Sequence, residues 1–366
     1  MILTISALLV LFLTFLRFLV SFLNMVSRPY LPEVASQQGD LPSLSVLIPV
    51  RNEEKNIDRL LGSLASLTYH NAEILVYDDG STDGSAQLIR GYEALDSRVR
   101  YIAGTELPPG WTGKNRACHN LAIAASGDYL LFLDADVTVG YDLLRRAMHF
   151  ALRYDLALMS MFPEQVMRSR GERIVVPFMF RILLSLLPLF LIRRCRWTSF
   201  AAANGQMMLF KGDLYRRFRF HEAVKDRLAE DIEIMRLVKR KKLKGDTLVG
   251  GKEIRCRMYR SYSEGVSGFS RNIFSMFGNS VLFFLLFSLT GLAGWILFLF
   301  LPWYFMASYI IMIVGLNAMI AVTSRQRVSE NLKYLLPGIV AFYHIALTAI
   351  VKTFRQSYEW KGREVK

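Results

Sequence analysis

A doubly wound α/β domain joined to membrane helices at both ends is the fold class that three observations predict. Short apolar runs alternate with stretches of helical spacing from Leu44 to Leu133, and several of the runs end on clusters of Asp, Gly, Asn and Ser. Ile2 to Val26 is almost wholly apolar, and Val281 to Val322 carries no charged side chain. The hydrophobic fraction of 52% and mean hydropathy of +0.27 over 366 residues are high for a soluble protein.

The terminal segments come first. Ile2 to Val26, interrupted only by Arg17 and a few Ser, Thr and Asn, is long enough to cross a hydrocarbon core of roughly 30 Å. Its start has no basic residue and no small-x-small cleavage site follows, so the segment reads as an uncleaved anchor and not as a signal peptide. Val281 to Val322, with Pro302 near its middle, is enough for two helices of roughly 20 residues each. Tyr334 to Val351, which contains Pro337 and His344, reads as a third crossing or a re-entrant segment.

Between them the punctuation is regular. Leu44 to Pro49, Glu73 to Tyr77, Val99 to Ala103 and Tyr129 to Leu133 read as strands, and Asn52 to Leu67, Ser85 to Tyr92 and Asn115 to Ala125 as helices. Strand then helix, repeated, predicts a parallel sheet with ligands bound beyond its C-terminal strand ends. After this half, Ile174 to Ile192 is apolar but holds Pro177, Arg181 and Pro188, and leaves through Arg193, Arg194, Arg196 and Trp197. That composition predicts a helix or helical hairpin in the membrane interface.

The net charge of +14 does not point to nucleic acid, because the basic residues flank apolar segments. They gather at Arg193 to Arg196, at Arg325, Arg327 and Lys333, and at Lys352, Arg355, Lys361, Arg363 and Lys366. Membrane lipid is the partner this pattern fits. Cys118, Cys195 and Cys256 have no metal-ligand spacing and suit a reduced compartment. The five histidines form no ligand set either, which argues against a His-metal enzyme.

The most informative stretch is Tyr129-Leu-Leu-Phe-Leu-Asp134-Ala-Asp136. Alternate side chains of an extended segment share a face, so both acids can aim at one point beyond the sheet, which suits a divalent cation. A surface turn produces the same pattern.

Order distinguishes the two readings. Pro49-Val-Arg51-Asn-Glu53-Glu54, Asp78-Asp79-Gly80-Ser81-Thr-Asp83, Gly113-Lys114-Asn115, Asp134-Ala-Asp136 and Glu230-Asp231 follow one another along the chain. This series, over about residues 44 to 260, resembles the inverting family 2 glycosyltransferases and implies a GT-A type domain. Trp111-Thr-Gly113-Lys114-Asn115-Arg116-Ala-Cys118 and Tyr358-Glu-Trp360-Lys-Gly362-Arg resemble the membrane-bound branch of carotenoid (4,4'-diaponeurosporenoate) and hopanoid-associated glycosyltransferases. With the apolar and basic segments, this predicts a division into an anchor (1–27), a catalytic domain (40–260) with an interfacial segment (174–197), an interface helix (261–280), a membrane block of two to three helices (281–352) and a basic tail (353–366).

The same resemblance assigns roles. Pro49, Arg51, Glu53, Asp78 and Asp79 would surround the nucleotide, with an acid accepting hydrogen bonds from the base. Lys114, at a helix start where free N–H groups gather, would meet the diphosphate. Asp136 is the candidate direct ligand of Mg²⁺ or Mn²⁺, and Asp134 contacts ribose or the metal's waters. Asp231, beside Glu230, is the candidate general base. Trp111, Asn204, Gly205 and Gln206 fall on the acceptor side.

Each assignment has a plainer alternative: an Asp-Gly turn for Asp78 and Asp79, a solvated lysine for Lys114, lipid-boundary packing for Trp111, and an amphipathic helix with acids first for Glu230 and Asp231. Glu233 and Arg236 read as that helix's solvated face. Arg257 and Arg260 are candidates for phosphate contact.

The expected function is transfer of a sugar from a nucleotide diphospho-sugar to a lipophilic acceptor, a carotenoid acid or a polyprenoid or hopanoid-type lipid. The expected location is the cell membrane, multi-pass, with the catalytic domain cytoplasmic. Neither the sugar, the acceptor nor an oligomeric state is specified by these residues. A processive polysaccharide synthase usually has Gln-x-x-Arg-Trp after the base, and no such motif follows Asp231; Gln356-Ser-Tyr-Glu359-Trp360 has an acid where the arginine belongs. A non-catalytic scaffold of this fold would have lost the acids, and all are present.

Overall fold

The computed structural model describes residues 2–33, 40–67, 69–355, 358–360 and 363–365. Met1 of the anchor and Lys361, Gly362 and Lys366 of the tail lie outside the described residues. The four strands expected from the apolar runs form as β1 (Leu44–Val50), β2 (Ala72–Asp78), β3 (Val99–Ala103) and β4 (Tyr129–Leu133). They are mutually parallel, in the order β3-β2-β1-β4.

Beyond the four strands expected to be parallel, the sheet turns mixed. β5 (Val137–Val139), β6 (Leu158–Phe162), β7 (Glu164–Gln165), β8 (Met207–Lys211), β9 (Gly245–Val249) and β10 (Ile254–Cys256) follow. The large sheet runs β3-β2-β1-β4-β8-β6-β9, with β8 antiparallel to both β4 and β6, so it is mixed. A small sheet β5-β10-β7 lies beside it.

Register explains why this matters. Val50 pairs with Asp78 and Asp78 with Ala103, so the first three strands end level. Leu133 at the end of β4 pairs with Met207 at the start of β8. Because β8 runs the other way, the loop before it reaches the same edge as the loops after β1, β2 and β4.

Alternation along the strands divides the core in two. Leu47, Leu130 and Phe132 face one cluster, while Val46, Ile48, Leu131 and Leu133 face the other. The second cluster is closed by the helices Glu54–Ala65, through Ile57, Leu60, Leu61 and Leu64, and Leu143–Tyr154. The first cluster runs without a break into the membrane-type helices, through Val10, Phe298, Ile313 and Phe342.

Three helices are long and apolar enough to cross a membrane: Leu3–Ser27, Trp303–Thr323 and Leu335–Lys352. The first presents Leu8, Phe12, Phe15, Leu19 and Phe22 outward, an apolar belt that suits lipid. Trp303–Thr323 packs alongside it, and at Gly315 an added Cβ would lie 2.8 Å from Phe18. Their ends are level: Tyr30 donates to the Thr323 carbonyl at 2.9 Å, and the Arg325 guanidinium sits 4.5 Å from the Tyr30 ring.

Val281 to Val322 is therefore not two equal helices. Its first half is broken into Val281–Ser288, a π-helical turn at Leu289–Ala293 and Gly294–Phe298, with the Gly291 backbone out of the helical region. The segment expected in the interface forms two short helices, Phe178–Leu186 and Phe190–Arg194, parted at Pro188. Phe178, Phe180, Ile182 and Leu184 are all buried. Ser21 and Asn24 of the anchor hold this segment by donating to Leu184 and Leu187 carbonyls at 3.3 and 2.9 Å.

Candidate active site

At the shared edge of the sheet, Lys114 lies between two acids. Its Nζ is 2.9 Å from Asp134 Oδ1 and 3.0 Å from Glu230 Oε1. Burial opposes its charge, but Asp134 and Glu230 override this and hold its pKa well above the ordinary lysine value. Helix Gly113–Ala124 places it: Thr112 caps the helix by accepting from Asn115 N at 3.2 Å, which fixes Lys114 in the first turn.

Helix Glu230–Arg240 supplies Glu230 and Asp231 from the other side. The Asp231 carboxylate accepts from Ile232 N at 2.8 Å and from Gly205 N at 3.0 Å. Burial and neighbouring Glu230 push its pKa up to about 7, while Lys114 and the two N–H groups pull the other way. A carboxylate so tuned can hold or release a proton near neutral pH.

Gly205 is the point where these groups meet. A Cβ there would lie 2.8 Å from Lys114 Nζ and 3.0 Å from Glu230 Oε1, so any side chain would push these two groups out of place. Asn204 and Gln206 brace the loop: Asn204 N donates to Ser160 Oγ at 2.7 Å, and Gln206 N to Asn204 Oδ1 at 2.9 Å. Asp134 N donates to the Gln206 carbonyl at 3.3 Å, which ties the loop to the end of β4.

Asp136 lies just beyond. Gln206 Nε2 donates to it at 3.2 Å and also contacts Cys256 Sγ at 2.8 Å. Burial, then the charges of Asp134 and Glu53, push its pKa up to about 7. Asp134 and Asp136, hard oxygen donors lining one cleft, suit a divalent cation that takes its further ligands from a phosphate, although among the described residues no three of His, Cys, Asp and Glu gather as a ready-made metal site.

The nucleotide-side motifs converge from β1 and β2. Arg51 Nη1 donates to the Asp79 carbonyl at 2.5 Å and is 4.0 Å from its carboxylate. Asp78 and Asp79 differ in placement. Asp78 accepts from Ser81 N at 2.9 Å and from Tyr101 OH at 3.2 Å, bonds that close the turn, whereas Asp79 lines the cleft. Gly80 has φ +68°, and a Cβ on Gly104 would lie 2.4 Å from the Asp78 carbonyl, so the turn needs both glycines. Pro49 and Glu53 line the same cleft; Glu53 also accepts from Asn56 Nδ2 at 2.7 Å.

Trp111 lines the cleft too, its ring 5.1 Å from His119 and 5.5 Å from the Arg116 guanidinium. Arg257 and Arg260 are at the cleft wall, Arg257 held by the buried Glu172 at 2.8 Å and Arg260 by Asn56 at 3.0 Å. Arg236 also reaches the cleft and pairs there with Glu233, although its spacing reads as a solvated face. Asn115, not singled out by sequence as more than a motif member, is fully buried. It donates to the Val224, Lys225 and Arg227 carbonyls at 2.8, 3.2 and 3.0 Å, clamping the segment that leads into Glu230.

The cleft has a volume of about 2360 Å³ and does not stop at the sheet edge. It continues past Ala202 and Phe200 to Met179 and Leu183, and on to Leu16, Arg17 and Val20 of the first helix and Phe287 of the broken one. One cavity thus joins the carboxylates to the membrane-type helices.

Residues 45–218 match the family described as Glycosyl transferase family 2. These residues, just under half of the chain, form a family 2 glycosyltransferase domain. Among the relatives of this domain, a protein described as an uncharacterized glycosyltransferase of Haemophilus influenzae is 31% identical over 121 residues, covering 32% of this chain and 46% of that one. A 4,4'-diaponeurosporenoate glycosyltransferase of Staphylococcus haemolyticus is 34% identical over 138 residues, 37% of this chain and 36% of that one. The chain thus spans less than half the length of either curated relative. The mannosyltransferase PcManGT of Pyrobaculum calidifontis, solved in complex with GDP-Man and Mn²⁺, shares the fold with a TM-score of 0.56 and 16% identity. That likeness covers 94% of this chain and 99% of that one and establishes the GT-A type fold of the glycosyltransferase domain, mixed sheet included.

Proposed function

We propose that the chain transfers a sugar, with inversion at the anomeric carbon, from a nucleotide diphospho-sugar to a lipophilic acceptor drawn from the membrane. The observation that carries this reading is the single cleft running from Asp134, Asp136 and Asp231 to the anchor helix. A soluble acceptor would have no need of a cavity whose far wall is Leu16, Val20 and Phe287.

In this reading Asp79, Arg51, Glu53 and Pro49 receive the nucleoside, and Asp78 shapes the turn that presents Asp79. Lys114 meets the diphosphate, exchanging its bond to Asp134 for one to phosphate oxygen. Asp136 with Asp134 would hold Mg²⁺ or Mn²⁺, which supplies Lewis-acid stabilisation of the leaving diphosphate. Asp231 takes the proton of an acceptor hydroxyl as its oxygen bonds to the anomeric carbon and the carbon–oxygen bond to the diphosphate breaks. Glu230 keeps Lys114 in place, and Trp111, Asn204, Gly205 and Gln206 shape the acceptor side.

A carotenoid acid is the acceptor named for the staphylococcal relative, and such an acid fits the long apolar half of the cleft. Nucleotide sugars are cytosolic, which puts the catalytic domain on the cytoplasmic face of a multi-pass membrane protein. The test is to incubate membranes bearing the full chain with a panel of nucleotide sugars and to analyse the lipid extract by mass spectrometry. A lipid gaining one sugar, absent with Asp136→Asn, is expected. Sugar recovered only as water-soluble polymer or free monosaccharide would refute the reading.

A further inference from the structure

We propose that the membrane end of the cleft is a binding site for a lipid-borne anion, a carboxylate or a phosphate, received by Arg17. Arg17 precedes Ser27, the end of the anchor helix, by ten residues, about 15 Å at the usual helical rise. It therefore lies deep in the apolar layer, too far from the helix end to reach the headgroups with ease. Its side chain lines the cleft.

Its partners are all neutral. Nε donates to Ser185 Oγ at 3.2 Å, Nη1 donates to Thr290 Oγ1, and the guanidinium lies 4.2 Å from the centre of the Phe287 ring. Arg181 stands near enough for the two charges to repel. Arg181 is 8% exposed, and its Nε and Nη2 have no hydrogen-bond partner. Among the described residues neither arginine forms a salt bridge. Ionisable side chains at such depth ordinarily pair with an opposite charge or line a functional cavity. Here Arg17 lines the cleft with Arg181 close behind it, and among the described residues neither is paired with an anion.

The broken helix is a second, independent observation. Its π-helical turn, Leu289–Ala293, includes Thr290, the residue that meets Arg17. The carbonyls released there are taken up by tyrosines: Tyr309 OH donates to Thr290 and Gly291 at 2.8 and 2.9 Å, and Tyr343 OH to Ser288 at 2.7 Å. Irregular backbone at membrane depth is tolerated where it is buried in protein or lines a cavity, and Thr290 lines this one. A mere staple between helices would be served by the neutral hydroxyls and would need no charge.

The inference rests on the proposed lipophilic acceptor only for the identity of the occupant, which is either the acceptor's own acidic group or the phosphate of a resident phospholipid. The full chain in phosphatidylcholine nanodiscs, without nucleotide, is irradiated with a diazirine-bearing palmitic acid, its methyl ester or a diazirine-bearing phosphatidylglycerol. The acid should label the helices at 2–27 and 281–298 roughly tenfold more than the ester, as a charge-assisted hydrogen bond in an apolar site implies. Arg17→Gln should fall to the ester level and Arg17→Lys should retain most labelling. Arg17-dependent capture of phosphatidylglycerol in preference to the acid assigns the site to a resident phosphate; the reverse preference assigns it to an acidic acceptor. Equal labelling by acid and ester in the unaltered chain, a comparison that needs no variant, overturns the proposal. Sugar transfer with no acid capture would leave the proposed function intact, and acid capture with no sugar transfer would leave this site intact.

Discussion

Among the described residues Lys114 is the only cation touching both Asp134 and Glu230, and the acids around it include one, Asp231, raised to about 7. A raised carboxylate is protonated, and inert as a base, below that value and ionised above it. Transfer to an alcohol acceptor should therefore rise with pH through about 7, and Asp231→Asn should remove the rise. A carboxylic acid acceptor, with a pKa of roughly 4 to 5, is already ionised at neutral pH. Its transfer should vary less with pH, and Asp231→Asn should cost it less. Equal losses on acid and alcohol acceptors would refute the assignment of Asp231 as base. Gly205→Ala forces a methyl within 3.0 Å of Glu230 and Lys114. It should leave the thermal midpoint nearly unchanged while lowering kcat/KM by roughly tenfold or more, because misplacing reacting groups by about an ångström is costly. Steady-state kinetics beside a melting curve reads both.

At the scale of elements, the site depends on a clamp and a reversed strand. Asn115, in the first turn of its helix, spreads the two N–H groups of its side-chain amide over three carbonyls of the segment 224–227. Asn115→Ala should cost about 1–3 kcal/mol, the usual penalty for stranding buried polar groups. It should slow transfer more than it weakens nucleotide binding, since it frees the approach to Asp231. Chemical denaturation and nucleotide titration of the same variant test the two halves. Glu172, buried in a capping box with Ser169, holds Arg257 at the cleft wall. Glu172→Gln should lower stability, the loss being greatest at neutral pH and shrinking as acid protonates the native carboxylate. The sign follows from the Glu172 pKa: burial raises it, but Arg257 and the N–H groups prevail and hold it below the ordinary value, so its stabilisation is present at neutral pH and lost as pH falls.

For the whole molecule, the membrane face is set by where helices end. Leu335–Arg355 has Pro337 in its first turn, where the missing N–H costs no hydrogen bond. It does not stand free in lipid: Tyr262 OH is 3.1 Å from His344 Nδ1, and Lys352 donates to Ser267 at 2.8 Å, so it runs beside helix Tyr262–Ser270. Leu336, Val340, Leu347 and Val351 face outward along one side and Phe342, Ile345 and Ala349 inward. A helix that lay along the catalytic domain, and did not cross, would keep the tail on that domain's side of the membrane, as its basic residues lead one to expect. A reporter fused after Lys366 should register as cytoplasmic; an external signal would show a third C-terminal crossing.

Much of this was legible in order along the chain, because strand alternation, helix spacing and turn residues are local properties. The four parallel strands, the long apolar first helix and the carboxylates Asp134 and Asp136 follow from them. What sequence could not place were contacts between segments far apart: Gly205 against Lys114 and Glu230, Arg236 at the cleft, Asn115 on 224–227, and Arg17 against Thr290. Each depends on the direction of β8 or on how membrane helices pack, and neither leaves a periodic trace. The sequence by itself determined which chemistry the chain can carry. Only the tertiary structure decided that one cleft joins that chemistry to the long apolar helices, because a cavity belongs to the packing of many segments and to no single one.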